Sequence, residues 1–446
     1  MKDRLFEIWF SLKCQPASKE FRSVLARFGT AYDVYNAEAT ELDQLDCSPK
    51  LKLALADKSL SEAHSVNEYC KANGVGVLFW TDENYPSTLR SLQDPPALLY
   101  YRGRLPAFGD RLCIGVVGTR SMSEYGKRMA YKIGYELAAT GTVVISGMAL
   151  GVDAMSAAGA MAAEGTAVAV IGSGFEQIYP REHTVLYEQI IRNGGCVITE
   201  YPPASPPNGY HFPQRNRIIS GLSQGTVVVE CDLNSGAMIT AKTAILQGRE
   251  IYAFPGNVGN ANAAGTNRLI RDGAAAILGA RDVLVNYADL YGSALHMAKL
   301  RGAEKRSEPD EAYLLKLGVC ARVSGESRET PPAASPVLAE DDTKEKKPSR
   351  PATSTPSKRP APHRSPSKKQ PDPAPASPFG DGTERILKTL TETQKKVFEA
   401  LPLDHAVPVD YLTREGFSMS DIMASLTVLE LKALVISLPG GLYARK

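Results

Sequence analysis

Cysteine is sparse and scattered: seven in 446 residues, at 14, 47, 70, 113, 196, 231 and 320, with no C-x-x-C pair. An odd, dispersed set supplies neither a zinc knuckle nor a disulfide framework. Cys113 and Cys196 lie in or beside apolar runs and read as buried thiols, and nothing beside Cys231 would activate it. Long apolar runs are also missing. None reaches the ~18 residues of a membrane span, and the opening MKDRLFEIWFSLKC is too charged and too briefly apolar for a signal peptide. No membrane segment and a cytoplasmic location are therefore expected. Nor is there an excess of one charge: 51 Lys+Arg meet 49 Asp+Glu, a net +2. Any case for an anionic partner must come from local patches.

What is present is a 43% apolar content spread over a length that implies two or three domains. Residues 1–73 carry short apolar-periodic segments such as LFEIWFSLK, FRSVLARFG and PKLKLALA, and read as a small helical domain. From 74 the pattern changes to short β-branched runs: VGVLFW, IGVVG, TVVISG, TAVAVIG, GCVITE, TVVVE and EIYAFPG, separated by alanine-rich helical stretches. Apolar strands alternating with helices imply an α/β fold, a Rossmann-like parallel sheet covered on both faces, over 74–292. Residues 293–382 read as a disordered proline-rich basic linker. Ten prolines fall within 348–378, and nine Lys/Arg face two Asp/Glu within 343–378. That segment either gathers nucleic acid or is a solvated tether. Over 383–446, TETQKKVFEAL, VPVDYLTREG and MSDIMASLTVLELKALV read as three helices, and LVISLPGGLYARK as a hairpin. Together they make a winged helix-turn-helix. Its third helix is acidic for a phosphate reader, which favours protein docking over duplex binding.

The candidate site lies at the strand ends, where open α/β sheets bind ligands. Gly118, Thr119 and Arg120 follow the IGVVG strand, and the amino end of the next helix could hold a phosphate beside the Arg120 fork. The turn is not the dinucleotide fingerprint, since the next glycine is Gly126, and it lacks the GK[ST] of a nucleotide-hydrolysing loop. Ser146 and Gly147 end the following strand, and Asp153 is placed to cap the helix after them. Gly172, Ser173 and Gly174 end a third strand, with Tyr179, Arg181 and His183 close behind; His183 suits a solvent or phosphate contact better than catalysis. In FPQRNRIISG, Arg215 or Arg217 either touches phosphate or braces the loop through Glu200 or Glu230. Ser235, Gly236 and Thr240 can donate to phosphate oxygens, with Lys242 nearby. Tyr179, His211 or Phe212 could stack on bases. No activated nucleophile, metal cluster or base–acid pair accompanies them. A row of phosphate acceptors longer than one nucleotide therefore fits single-stranded nucleic acid.

Several segments resemble the DNA-processing protein A family, also called Smf: GVVGTR (115–120), ISGMALGVDAMSAAGAM (145–161), VAVIGSGFEQIYPREH (168–183), the stretch 212–273, NYPSTLRSLQDPPALLYYRG (84–103) and LELKALVISLPGGLYAR (429–445). The resemblance implies a homodimer that binds and protects single-stranded DNA and helps load the RecA recombinase on it during natural transformation, with no catalytic step and no cofactor. It assigns DNA contact to Arg120 and, just after IYP, to Arg181. It also implies a SAM-like fold for 1–73, although the glycine-bounded hairpin of such domains is missing. The chain has Ala157 where the family's second motif commonly ends in histidine. The rival is a nucleotide-binding enzyme or sensor of the phosphoribohydrolase type; its PGGxGTxxE signature is echoed only by the glycines of GNVGNANAAGTN (256–267). A transcription regulator acting through the winged domain is a third possibility.

Overall fold

A computed structural model describes residues 4–14, 16–319 and 390–402, with parts of 407–445. They fall into two units, one within 1–340 and one within 341–446.

In the first unit the β-branched runs form strands β1 (Gly76–Phe79), β2 (Leu98–Gly103), β3 (Cys113–Val117), β4 (Val143–Ser146), β5 (Ala167–Val170), β6 (Cys196–Thr199), β7 (Gly225–Val228), β8 (Glu250–Ala253) and β9 (Ala275–Ala276). They build one sheet in the order β1-β2-β6-β5-β4-β3-β7-β8-β9. From β6 to β9 all neighbours are parallel, but β2 is antiparallel to β6 and to β1. The sheet is thus mixed rather than wholly parallel. Between β1 and β2 the only helix is Ser87–Arg90, too short for the crossover a parallel pair requires.

With six amino-terminal helices as α1–α6 and Ser87–Arg90 as α7, helices α8 (Glu124–Ala139), α9 (Val152–Ala162) and α10 (Thr184–Arg192) cover one face, and α11 (His211–Leu222) and α12 (Gly236–Leu246) the other. Strand residues sort between the faces with the period of two that a pleated strand dictates. Ile114, Val116, Val227 and Val229 join one core; Cys113, Val117, Ile145, Val170 and Val228 join the other. Burial pushes the Cys113 thiol up to about 12, and Cys196 is raised for the same reason, so both are the inert buried thiols expected.

Six helices, Leu5–Lys13, Phe21–Phe28, Ala31–Asn36, Ala39–Asp43, Pro49–Ala56 and Ser61–Ala72, confirm a helical amino-terminal region. It has no separate core: Trp9, Phe10 and Phe21 belong to the cluster beneath α8 and α9, and Phe10 packs edge-on against Phe79 of β1. Residues 293–319, expected to belong to the linker, are folded. Helices Met297–Glu304 and Glu311–Lys316 bury Leu300, Leu314 and Leu317 in that same cluster, and Glu311 pairs with Lys127 of α8 at 2.5 Å. Apolar side chains at 300, 303, 314 and 317 are what separates this stretch from the proline-rich sequence after it. The described helices include none long and apolar enough to cross a membrane.

In the second unit, helix Glu392–Ala400 starts on a capping box between Thr391 and Gln394. Strands β10 (Val407–Pro408), β11 (Val435–Leu438) and β12 (Leu442–Arg445) form a three-stranded antiparallel sheet, with β11 and β12 in the hairpin register expected. Ile422, Leu426 and Leu429 are buried at helical spacing beside Val397 and Phe398. Most of the second and third expected helices, and the rest of the expected linker, 320–382, lie outside the described residues.

Candidate nucleic-acid interface

From β3 the strand order runs outward in both directions, to β4 on one side and β7 on the other. The crevice beyond the carboxyl ends at such a reversal is the ligand site of open α/β sheets. Here it is a cleft of about 820 Å³. Gly118, Thr119 and Arg120 wall it after β3, Ser235, Gly236 and Thr240 after β7, and Phe212, Arg215 and Asn216 project from α11.

The Gly118–Ser121 turn is fixed from beneath. Thr119 N donates to the Glu230 carbonyl at 2.7 Å, and the buried Glu230 carboxylate accepts from Ser123 N (2.9 Å) and Ser123 Oγ (2.5 Å). Ser123 Oγ in turn accepts from Gly126 N, capping α8. A Cβ at Gly126 would stand 2.1 Å from the Glu230 carboxylate, so the close approach requires glycine. The amino end of α8, expected to hold a phosphate, is therefore occupied by a carboxylate of the chain itself. Arg120 is exposed, its guanidinium 5.5 Å from the Phe212 ring centroid on the cleft wall.

Arg215 and Arg217 part company. Two residues on a helix are rotated by about 200°, so they face nearly opposite ways. Arg215 Nη1 donates to the Gly147 carbonyl at 2.7 Å, and its Nε is buried without a partner among the described residues. Burial pulls its guanidinium down to about 10, which leaves it charged at neutral pH. Arg217 is buried in an ion pair with Glu200 (2.8 Å) and reaches Asp94 at 3.3 Å. Its place is the brace through Glu200, away from the cleft.

Asp153 does not cap its helix by accepting from the first-turn amides. Its Oδ2 accepts from Gly147 N at 2.9 Å, so one carboxylate and one guanidinium clasp the same residue. A Cβ on Gly147 would lie 2.6 Å from both Arg215 Nη atoms and from Asp153 Oδ2. Burial raises the Asp153 carboxyl pKa, opposed by Arg215 and by the amides of Ala149 and Gly147. Ser146 Oγ is turned inward to the Asp153 carbonyl. His183, expected to meet solvent or phosphate, is instead buried with Nδ1 2.8 Å from the Met148 carbonyl, and burial lowers its pKa. That bond helps to hold Met148 at a φ of 54°, a strained value for a side chain of its length.

At the third strand end, Gly172 lines a small recess beside the cleft with Gly147, Tyr179, Phe212 and Arg215. Gly174 is tied under the following loop, its amide donating to the Ser205 carbonyl at 2.8 Å, and Ser173 is buried. Tyr179 and Phe212 pack with ring centroids 5.5 Å apart on the cleft wall, whereas His211 stacks on Tyr201 at 3.9 Å and is used internally. Helix α12 starts at Gly236, with Ser235 Oγ accepting from Met238 N as its cap. Thr240 Oγ1 donates back to the Gly236 carbonyl. Lys242 is exposed in a separate groove with Arg249 and Arg268, and Arg181 is exposed outside the cleft lining.

The cleft thus gathers Gly118, Thr119, Arg120, Arg215, Ser235, Gly236 and Thr240, with Gly147 and Gly172 in the adjoining recess. Ser146, Ser173, Gly174 and Arg217 serve the interior. Sequence reading missed the Glu230 plug, whose signal is a glutamate ending an apolar strand opposite a serine cap.

Residues 76–288 match the family described as DNA recombination-mediator protein A. DNA processing protein DprA of Bacillus subtilis is 40% identical over 213 residues, 48% of this chain and 71% of the relative. Protein Smf of Escherichia coli is 40% identical over 204 residues, 46% of this chain and 54% of that protein. The solved structure of DNA processing protein A from Streptococcus pneumoniae is 31% identical, covers 64% of this chain and 98% of its own, and superposes with a TM-score of 0.55. With a sheet of this topology, this cleft and these matches, the chain belongs to the DNA recombination-mediator protein A family, the DprA/Smf proteins.

Proposed function

We propose that this protein binds single-stranded DNA through the cleft between β3 and β7, protects it, and helps load the RecA recombinase on it during natural transformation and recombination. The observation that carries this reading is the exposed Arg120 guanidinium, over the Phe212 ring and in the same cleft as the buried Arg215. An arginine fork beside an aromatic platform suits a phosphate and the base attached to it. The names of the matched relatives, which refer to DNA processing and recombination mediation, support it. The cleft acts by binding alone: the charged groups lining it are two guanidiniums and Asp153, and the Asp153 carboxylate is engaged by Gly147 N.

The core is read as Rossmann-like and the carboxy-terminal unit as a winged helix that docks protein. A homodimer is supported by exposed apolar side chains at Ile245, Leu246, Leu278 and Val285. The test is a gel-shift comparison of single-stranded and duplex DNA with the full chain and with fragment 1–319, which keeps Leu300 and Leu314 buried. Single-strand binding retained by the fragment and weakened by salt is expected. Loss of all binding from a folded fragment moves the site out of the sheet.

A further inference from the structure

We infer that the cleft recognises one nucleotide at a time, so that a free nucleoside monophosphate occupies it in competition with a DNA strand. This rests on the reading that the cleft holds a sugar-phosphate chain. The cleft volume of about 820 Å³ lies within the range of pockets that enclose a single small ligand. Its lining holds two guanidiniums, Arg120 and Arg215, against one carboxylate, Asp153, a surplus of one positive charge. One phosphodiester charge balances that surplus, and the second charge of a phosphomonoester falls to the amino end of α12. Arg181 and Lys242, which could have extended a cationic track, lie outside the lining.

The donors also share the walls of one cleft. Helix α12, eleven residues long, presents its amino end at Ser235 and Gly236 on one wall. First-turn amides there have no partner within the helix. On the floor, Arg215 is 3% exposed and its Nε has no partner among the described residues, so the positive end of the cleft is built from the interior outward. Tyr179 and Phe212, in mutual contact, make a single aromatic platform. One phosphate position and one platform define a nucleoside monophosphate, and a stacking platform reads no particular base.

Thymidine 5′-monophosphate is the probe, titrated calorimetrically into the full-length protein beside thymidine and inorganic phosphate, and then used to displace a labelled oligothymidylate. The expected result is saturation of one site per chain, at least tenfold tighter than either fragment of the nucleotide, with displacement of the oligonucleotide. Arg120→Ala weakens the monophosphate about tenfold, and Phe212→Leu erodes its advantage over phosphate several-fold. Saturation by inorganic phosphate with equal affinity overturns nucleotide recognition. So does failure of the monophosphate to bind while the oligonucleotide still binds and still responds to Arg120→Ala; the strand-binding site then stands without it. Oligonucleotide binding indifferent to Arg120→Ala, in a variant with an unaltered melting temperature, removes the cleft reading itself.

Discussion

Two of the helix amino ends around the Gly118–Ser121 turn have been treated differently by the chain. Helix α8 begins against the buried carboxylate of Glu230, which takes up Ser123 N and Ser123 Oγ. Helix α12 begins with only the neutral hydroxyl of Ser235 as its cap, at the wall of the open cleft. A helix terminus attracts anions by its free amides and dipole, so the first is satisfied from within and the second remains available. The turn that carries Arg120 is a fixed wall, and the receptive terminus stands across the strand-order reversal from it. Arg215 and Arg217 repeat the lesson on a single helix: one guanidinium lines the cleft and the other is committed to Glu200.

The comparison breaks first at its committed partners. Arg217→Ala leaves Glu200 buried without its cation and should cost about 3–5 kcal/mol, read as a lowered urea midpoint. A loss below 1 kcal/mol would mean the pair is not the brace described. Glu230→Gln weakens the plug beneath the turn and should cost about 1–3 kcal/mol; an unchanged thermal midpoint would show that α8 does not depend on it. Arg120→Ala should leave the midpoint within about 0.5 kcal/mol of the parent yet reduce single-strand affinity about tenfold. It should also flatten the log-affinity against log-salt slope by about 0.7, the share of one phosphate. A steep, unchanged slope would place the phosphate contact elsewhere. The smallest effect belongs to Ser235→Ala, about 1 kcal/mol from the lost cap, detected as reduced amide-exchange protection in the first turn of α12.

Much of the architecture was legible because its signals are local. Runs such as TVVISG and TAVAVIG could only be buried strands, and the helices between them carried their own caps, as at Ser123 and Ser235. The direction of β1 and β2 was hidden, since direction depends on which neighbour a strand meets. The folded edge past 292 was obscured because 293–319 carries no β-branched run, although it holds a single proline; only Leu300, Leu314 and Leu317, once packed, reveal it. At the site, residue type located the rim, so Arg120, Ser235 and Gly236 came together as their loops imply. Which way Arg215, Arg217 and His183 turn depends on distant partners: Glu200 was one of two carboxylates the sequence offered, whereas Gly147 and Met148 act through backbone carbonyls that no residue type marks.

The carboxylate under the Gly118–Ser121 turn has a kinetic corollary. With its shape imposed by Ser123, Glu230 and a hydrogen bond from Thr119, the turn has no ordering to complete at the moment of encounter. Preorganisation of this kind removes a conformational toll from association. Capture should then proceed at the pace of diffusion and charge steering, and residence time, rather than arrival, should set how long a strand stays on the protein.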